Sequence, residues 1–301
     1  MKTFVVLLGL VAVCYGKALD TFLPENNPVF GYMTKYGIPR AEELLKAEEK
    51  FLARQSTRII NGKPSALGQH PWQASLFTDI IGMDDGRKGI CGSSLVSDKL
   101  LVTAAHCWFD GLNQAWRVTV NLGSNFLSSG GFQQQTNDVV VHPNWFPNLI
   151  RNDVALIRLP NRVIFGETIS PISLPSSSEL NDSFEGETAT VSGFGITSND
   201  GTVQPDQFLS HVSVPIISNS VCRSSVLLYL LLVQDTNICT SGAGGDGPCH
   251  GDSGGPLFVT RDGRNILVGV VSFGSLNGCE SNDPGVYART TKYIDFINQY
   301  L

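Results

Sequence analysis

The chain is predicted to be all-β, with antiparallel sheets folded into barrels or sandwiches. Short β-rich runs recur beyond Arg58: WQASLF, KLLVTAA, WRVTVNLG, DVALIRL, TATVSGFG, LSHVSVPII and LVGVVSFG. Turn residues separate them, as strands joined by tight connections require. The 31 glycines and 15 prolines suit a turn-rich β protein better than a helical one. With 301 residues, 42% of them hydrophobic, there is material for a sizeable core and one or two domains.

In chain order, MKTFVVLLGLVAVCYG has a basic start, an apolar run from Phe4 to Val13 and small residues at its end. That run is too short to cross a bilayer, so residues 1–16 read as a secretory signal. The expected product is exported, with no membrane association. Residues 17–58 differ in composition. Within PRAEELLKAEEKFLARQSTR, Leu44, Leu45, Phe51 and Leu52 fall near helical spacing, which predicts a short amphipathic helix. The strand-rich part follows. At the end, TTKYIDFINQYL places Tyr293, Ile294, Phe296, Ile297 and Tyr300 on one helical face.

Net charge is −6, which argues against an electrostatic nucleic-acid binder. Of the seven cysteines, Cys14 lies in the signal; the other six form an even set that invites three disulfides in an oxidising compartment. Zinc would need clustered Cys/His ligands, and the cysteines are scattered; GSNFLSSGGFQQQTN has no acidic residue to hold another metal. No metal and no cofactor is expected.

Three stretches carry chemistry. In GDSGGPL, glycines let the chain bend tightly around Ser253, so that the Gly251 and Ser253 amides can point at one spot. A hydroxyl needs a base beside it to act as a nucleophile. LLVTAAHCW supplies His106, and RNDVALIRL offers Asp153 at the head of an apolar strand to orient the imidazole. Asp110 and Asp138 are rivals for that third role, otherwise solvated loop carboxylates. His70, His142, His211 and His250 show no partnered spacing and read as structural or surface groups.

With TAAHC, NDVALI and GDSGGPL in that order, the chain from Ile59 to Leu301 resembles the chymotrypsin-like (trypsin-fold) serine endopeptidases. AAHCWFDG, LIRND, QDTNICTSG and SFGSLNGCE are most similar to insect digestive chymotrypsins and the serine collagenases called brachyurins. The resemblance implies two six-stranded antiparallel Greek-key β-barrels, about 59–165 and 166–290, with a C-terminal helix at 291–301. It implies a triad of His106, Asp153 and Ser253, whose roles are those of the family's template. The implied oxyanion hole is Gly251 with Ser253, and the implied disulfides are Cys91–Cys107, Cys222–Cys239 and Cys249–Cys279. Ser272 is expected to bond Asp153.

Similar enzymes are stored inactive. STRIINGKPS then marks a cut at Arg58–Ile59, with 17–58 as an activation propeptide and the new Ile59 ammonium pairing with Asp252. No cysteine tethers the propeptide, so it is expected to leave once cut. In trypsin-like relatives an acidic pocket floor lies six residues before the nucleophile; here that is Gly247. Asp246, one residue off, should face the other way in an extended stretch. Gly274 and Gly285 leave the walls bare. The expected pocket is deep and neutral, suited to Phe, Tyr, Leu or Met.

Pro248 could turn Asp246 inward, which would favour Arg or Lys instead. The pocket aspartate that some collagenases carry is replaced by Gly285, leaving collagen degradation as an open reading. Partners expected are protein or peptide substrates and an activating trypsin-like protease, acting on a secreted monomer, with the gut lumen as a setting for digestion. Asn181-Asp182-Ser183 is the one glycosylation sequon. The alternative from another class is a non-catalytic serine protease homologue serving as a binding adaptor.

Overall fold

The computed structural model describes residues 24–54, 65–83, 85–195 and 209–301. Residues 1–16, expected to be a signal, and the Arg58–Ile59 bond lie outside the described residues. The fold is all-β, with two barrel-like sheets followed by a C-terminal helix. The first sheet uses β1 (Gln73–Ile80), β2 (Lys88–Leu95), β3 (Leu100–Thr103), β4 (Ala115–Leu122), β5 (Phe132–Thr136), β6 (Val139–Val141) and β7 (Ala155–Arg158). Its order is β5-β4-β1-β2-β3-β7-β6. It has seven strands rather than six because one stretch bends at Asn137-Asp138: β5 pairs with β4 at one edge and β6 with β7 at the other. This bend curls the sheet towards closure.

The second sheet is a closed barrel of six strands: β8 (Thr188–Gly193), β9 (Ser210–Ile217), β10 (Asn237–Thr240), β11 (Pro256–Arg261), β12 (Arg264–Phe273) and β13 (Gly285–Arg289). Alternation along the strands fills it with Val191, Val214, Ile216, Ile238, Leu257, Val268 and Tyr287. The C-terminal helix spans Ile294–Asn298 after a 3₁₀ turn at Thr290–Lys292; Tyr293, Phe296 and Ile297 join the core of the first sheet. The disulfides are Cys91–Cys107, Cys222–Cys239 and Cys249–Cys279.

The segment ahead of Arg58 is folded onto this body. A π-helical turn, Met33–Gly37, leads into α1 (Ile38–Arg54). Pro39, which offers no backbone N–H, sits where the π-helical turn passes into the α-helix. The buried face is Ile38, Ala41, Leu44 and Ala47, recurring every three residues, whereas Leu52 is exposed. Ala41 and Leu44 share a cluster with Phe77, Ile90, Leu127, Phe194 and Leu209, and Tyr32, Met33 and Ile38 enter the core of the first sheet. Each fully buried apolar side chain of this size contributes roughly 1.5–3 kcal/mol.

Candidate active site

The candidate residues come from both sheets; hydrogen bonds link His106, Asp153 and Ser272 in a chain, whereas none joins Nε2 of His106 to the Ser253 hydroxyl. His106 lies on the 3₁₀ turn Ala105–Cys107 that follows β3, and Asp153 lies two residues before β7. Asp153 accepts the His106 backbone N–H at 2.9 Å through Oδ1, while its Oδ2 meets Nδ1 of the imidazole at 2.8 Å. Ser272, on β12, donates its hydroxyl to the same Oδ2 at 2.6 Å. The three contacts fix the carboxylate and select the tautomer with its proton on Nδ1, leaving Nε2 as the base. His106 and Asp153 are both buried.

Ser253 lies on the turn before β11. The Gly92 N–H from β2 binds the Ser253 carbonyl at 2.7 Å, so the first sheet holds a loop of the second in place. The turn depends on glycine at two points. Gly251 has φ +104°, and Gly254 has φ +79°, where a Cβ would come within 2.5 Å of the Gly92 oxygen. Asp252 is buried beneath the loop. It accepts from Gly195 N–H at 2.7 Å and Cys249 N–H at 2.9 Å. Burial pushes its pKa up to about 6, while those two hydrogen bonds and the nearby Arg40 guanidinium pull it back down. A cavity of about 230 Å³ beside it is lined by Gly193, Gly195, Cys249 and Asp252, among others.

A second cavity, of about 100 Å³, adjoins Ser253 and is lined by Gly247, Pro248, Ser272, Gly274 and Gly285. Cβ atoms added at Gly247 or Gly274 would meet nothing within 4 Å, whereas one at Gly285 would lie 3.0 Å from the Pro248 ring. Asp246 is exposed and borders both cavities. Its Oδ2 leans towards Gly244, 3.7 Å from where a Cβ there would stand.

Sequence reasoning missed several groups. Asp283 also lines the pocket. Burial raises its pKa, but hydrogen bonds from Ser275, Asn277 and Ser281 prevail and hold it below the ordinary carboxylate range. Asp110, read as a candidate solvated carboxylate, is fully buried and binds the N–H groups of Met33, Leu112 and Asn113 at 2.7–2.9 Å. The largest omission is the upstream segment, which enters the cleft. The Tyr32 ring stands edge-on to His106 with centroids 4.8 Å apart. Its hydroxyl donates to the Ile90 carbonyl at 3.3 Å. Burial pushes the phenol up to about 12, opposed by hydrogen bonding with Ser253 and the Gly251 amide. Under this lid, Nε2 of His106 is buried with no hydrogen-bond partner among the described residues. Tyr36 stacks on His250 at 3.9 Å, with ring planes 7° apart. No local pattern in the sequence marks either tyrosine.

Two β-barrels holding a Ser, an imidazole and a buried carboxylate at their junction define a class of hydrolytic enzyme. A model of the trypsin family matches residues 59–297. A collagenase of Hypoderma lineatum is 39% identical over 242 residues, covering 80% of this chain and 86% of that protein. Trypsin beta of Drosophila erecta is 39% identical over 252 residues, covering 83% and 90%. The solved structure of HL collagenase superposes with a TM-score of 0.70 at 37% identity, over 80% of this chain and 97% of that one. The chain belongs to the trypsin family and is a serine endopeptidase.

Proposed function

We propose that the protein is a secreted proenzyme, cut after Arg58 by a trypsin-like protease. It then hydrolyses peptide bonds after large apolar side chains in the diet of its producer. The observation that carries the catalytic assignment is the buried pair His106–Asp153, held at 2.8 Å, with Sγ of the adjacent Cys107 3.7 Å from the Ser253 carbonyl oxygen. The Ser253 hydroxyl attacks the substrate carbonyl and passes its proton to Nε2 of His106. Asp153 stabilises the imidazolium and Ser272 fixes Asp153. The Gly251 and Ser253 amides receive the oxyanion. The imidazolium then protonates the leaving amine, and water cleaves the acyl-enzyme by the same route in reverse.

Two features favour activation at Arg58. The family match begins at Ile59 itself, and the cavity beside Asp252 suits a new ammonium. An ion pair there would stabilise the loop that carries the oxyanion donors. The apolar preference is supported by the open space at Gly247 and Gly274. Burial of a large apolar side chain would reward that slot by about 25 cal/mol per Å².

A second reading, preference for Arg or Lys, draws on the carboxylates of Asp246 and Asp283 at the pocket border. Collagen is a further substrate to test, because one relative is named a collagenase. Cleaved protein tested on peptides that differ only in the residue before the scissile bond decides between the two. Faster hydrolysis after Phe, Tyr or Leu supports the apolar slot; faster hydrolysis after Arg or Lys overturns it.

A further inference from the structure

We infer that the segment before Arg58 has an activity of its own: after the cut it stays in the cleft as a non-covalent inhibitor. The inference rests on the reading of Arg58 as the activation site. The geometry is that of a docked ligand with anchors from Asn27 to Glu48. At its start, the Asn27 side chain donates to the carbonyls of Pro147 and Asn148 at 2.9 and 3.1 Å. Val29 is buried with Tyr229, Phe273 and Val286. Gly31 N–H binds the Asp110 carbonyl and Met33 N–H its carboxylate. Tyr32 covers His106 and reaches the Ser253 and Gly251 groups, the two places a substrate carbonyl would need. Tyr36 covers the pocket rim by stacking on His250.

Further along, Arg40 is buried against Gly251, and its charge acts on Asp252. The proprotein thus holds a cation near Asp252 before any new N-terminus exists. At the far end, Glu48 accepts the N–H groups of Leu127, Ser128 and Ser129 at 2.8–3.1 Å. Cutting at Arg58 breaks none of these contacts directly, since each joins a residue between Asn27 and Glu48 to the body and none uses Arg58 or Ile59. The expectation that an untethered propeptide leaves once cut takes no account of this buried face. Removing a covalent link leaves a bimolecular complex that dissociates only below its own Kd.

The test uses the full chain with Gln55→Ile, Ser56→Glu and Thr57→Gly, which places a factor Xa sequence before Arg58. The cut then leaves Ile59 as the new terminus and spares the other basic residues of the segment. Three readouts follow: co-elution of the fragment on gel filtration, the rate of fluorophosphonate labelling of Ser253, and the dependence of that rate on dilution. The expected result is co-elution at about 10 µM, with the labelling rate rising ~tenfold or more on dilution to about 10 nM. Tyr32→Ala, and Tyr36→Ala as a milder variant at the rim, should label rapidly without dilution.

The inference is overturned if the fragment elutes apart and labelling runs at full rate at every concentration. It is also overturned if the fragment co-elutes while labelling is as fast in the parent as in both tyrosine variants. If Ser253 never labels, in any variant at any dilution, the protease reading fails instead. In that case, co-elution of the parent fragment but not of the variant fragments supports retention, and elution apart overturns it.

Discussion

Replacing Asp252 by Asn in the uncut protein should change how stability depends on pH. Burial raises the folded-state pKa from 3.8 to about 6, even though the Gly195 and Cys249 amides and Arg40 favour the ionised form. A carboxyl whose pKa is raised on folding contributes stability that is fully present below the unfolded value and is lost as pH rises through the folded one. About two pKa units correspond to roughly 3 kcal/mol, most of it released between pH 8 and pH 4. His70 acts in the opposite sense over the same window, because burial, and then His211, depresses its pKa to about 4. The net pH profile is therefore a poor readout, and the difference between parent and variant isolates Asp252. The assay is urea unfolding of both proteins, disulfides intact, at pH 8, 6 and 4. The stability of the Asn variant relative to the parent should be more favourable at pH 8 than at pH 4 by about 2–3 kcal/mol. An equal gap at all three values would refute the placement of Asp252 in an apolar site with only partial compensation.

Two further outcomes are expected of the cleaved enzyme. Asp153→Asn preserves the shape but offers an amide to Nδ1, so kcat should fall about 10⁴-fold, as the same change does in the family's reference triad; a loss under tenfold would mean that the tautomer is set elsewhere. Gly247→Asp places a carboxylate in the open floor of the slot and should raise kcat/KM for Arg or Lys substrates by about 30-fold relative to Phe; an unchanged ratio on a peptide panel would mean that Gly247 is not the floor.

The strands that the sequence made legible are those with branched or aromatic residues on a buried face, such as WRVTVNLG in β4 and LVGVVSFG in β12. Others carried no such signal. β2 reads KGICGSSL and is buried along nearly its whole length because small residues let it pass under the serine loop; a Cβ at Gly92 would lie 3.0 Å from the Gly255 Cα. β5 reads FQQQT, with only Gln134 buried, so alternation of burial is not mirrored in hydropathy. His106, Asp153 and Ser253 were legible because each sits in a stretch whose neighbours are constrained by the same site.

Of the residues that line the cavity beside Ser253, Gly247 was reached by counting back from Ser253 and Gly274 and Gly285 through the family resemblance, but Asp283 was not. That residue reaches the pocket through a loop whose shape depends on Ser275, Asn277 and Ser281. Asp110 looked like a surface carboxylate because its nearby partners, Leu112 and Asn113, suit an exposed turn, whereas Met33, which covers it, is remote in sequence. The occupancy of the cleft was not legible at all. Tyr32 and Tyr36 lie in a stretch without period, and their meaning exists only in contact with His106 and His250.

The most direct test of the catalytic assignment is fluorophosphonate labelling of the cut and diluted protein, with the modified residue read by mass spectrometry of its peptides and casein hydrolysis followed in parallel. One adduct on Ser253, no adduct in Ser253→Ala, and loss of hydrolysis in that variant are the predicted results. Hydrolysis that persists in Ser253→Ala, or an adduct on another residue, would contradict the assignment.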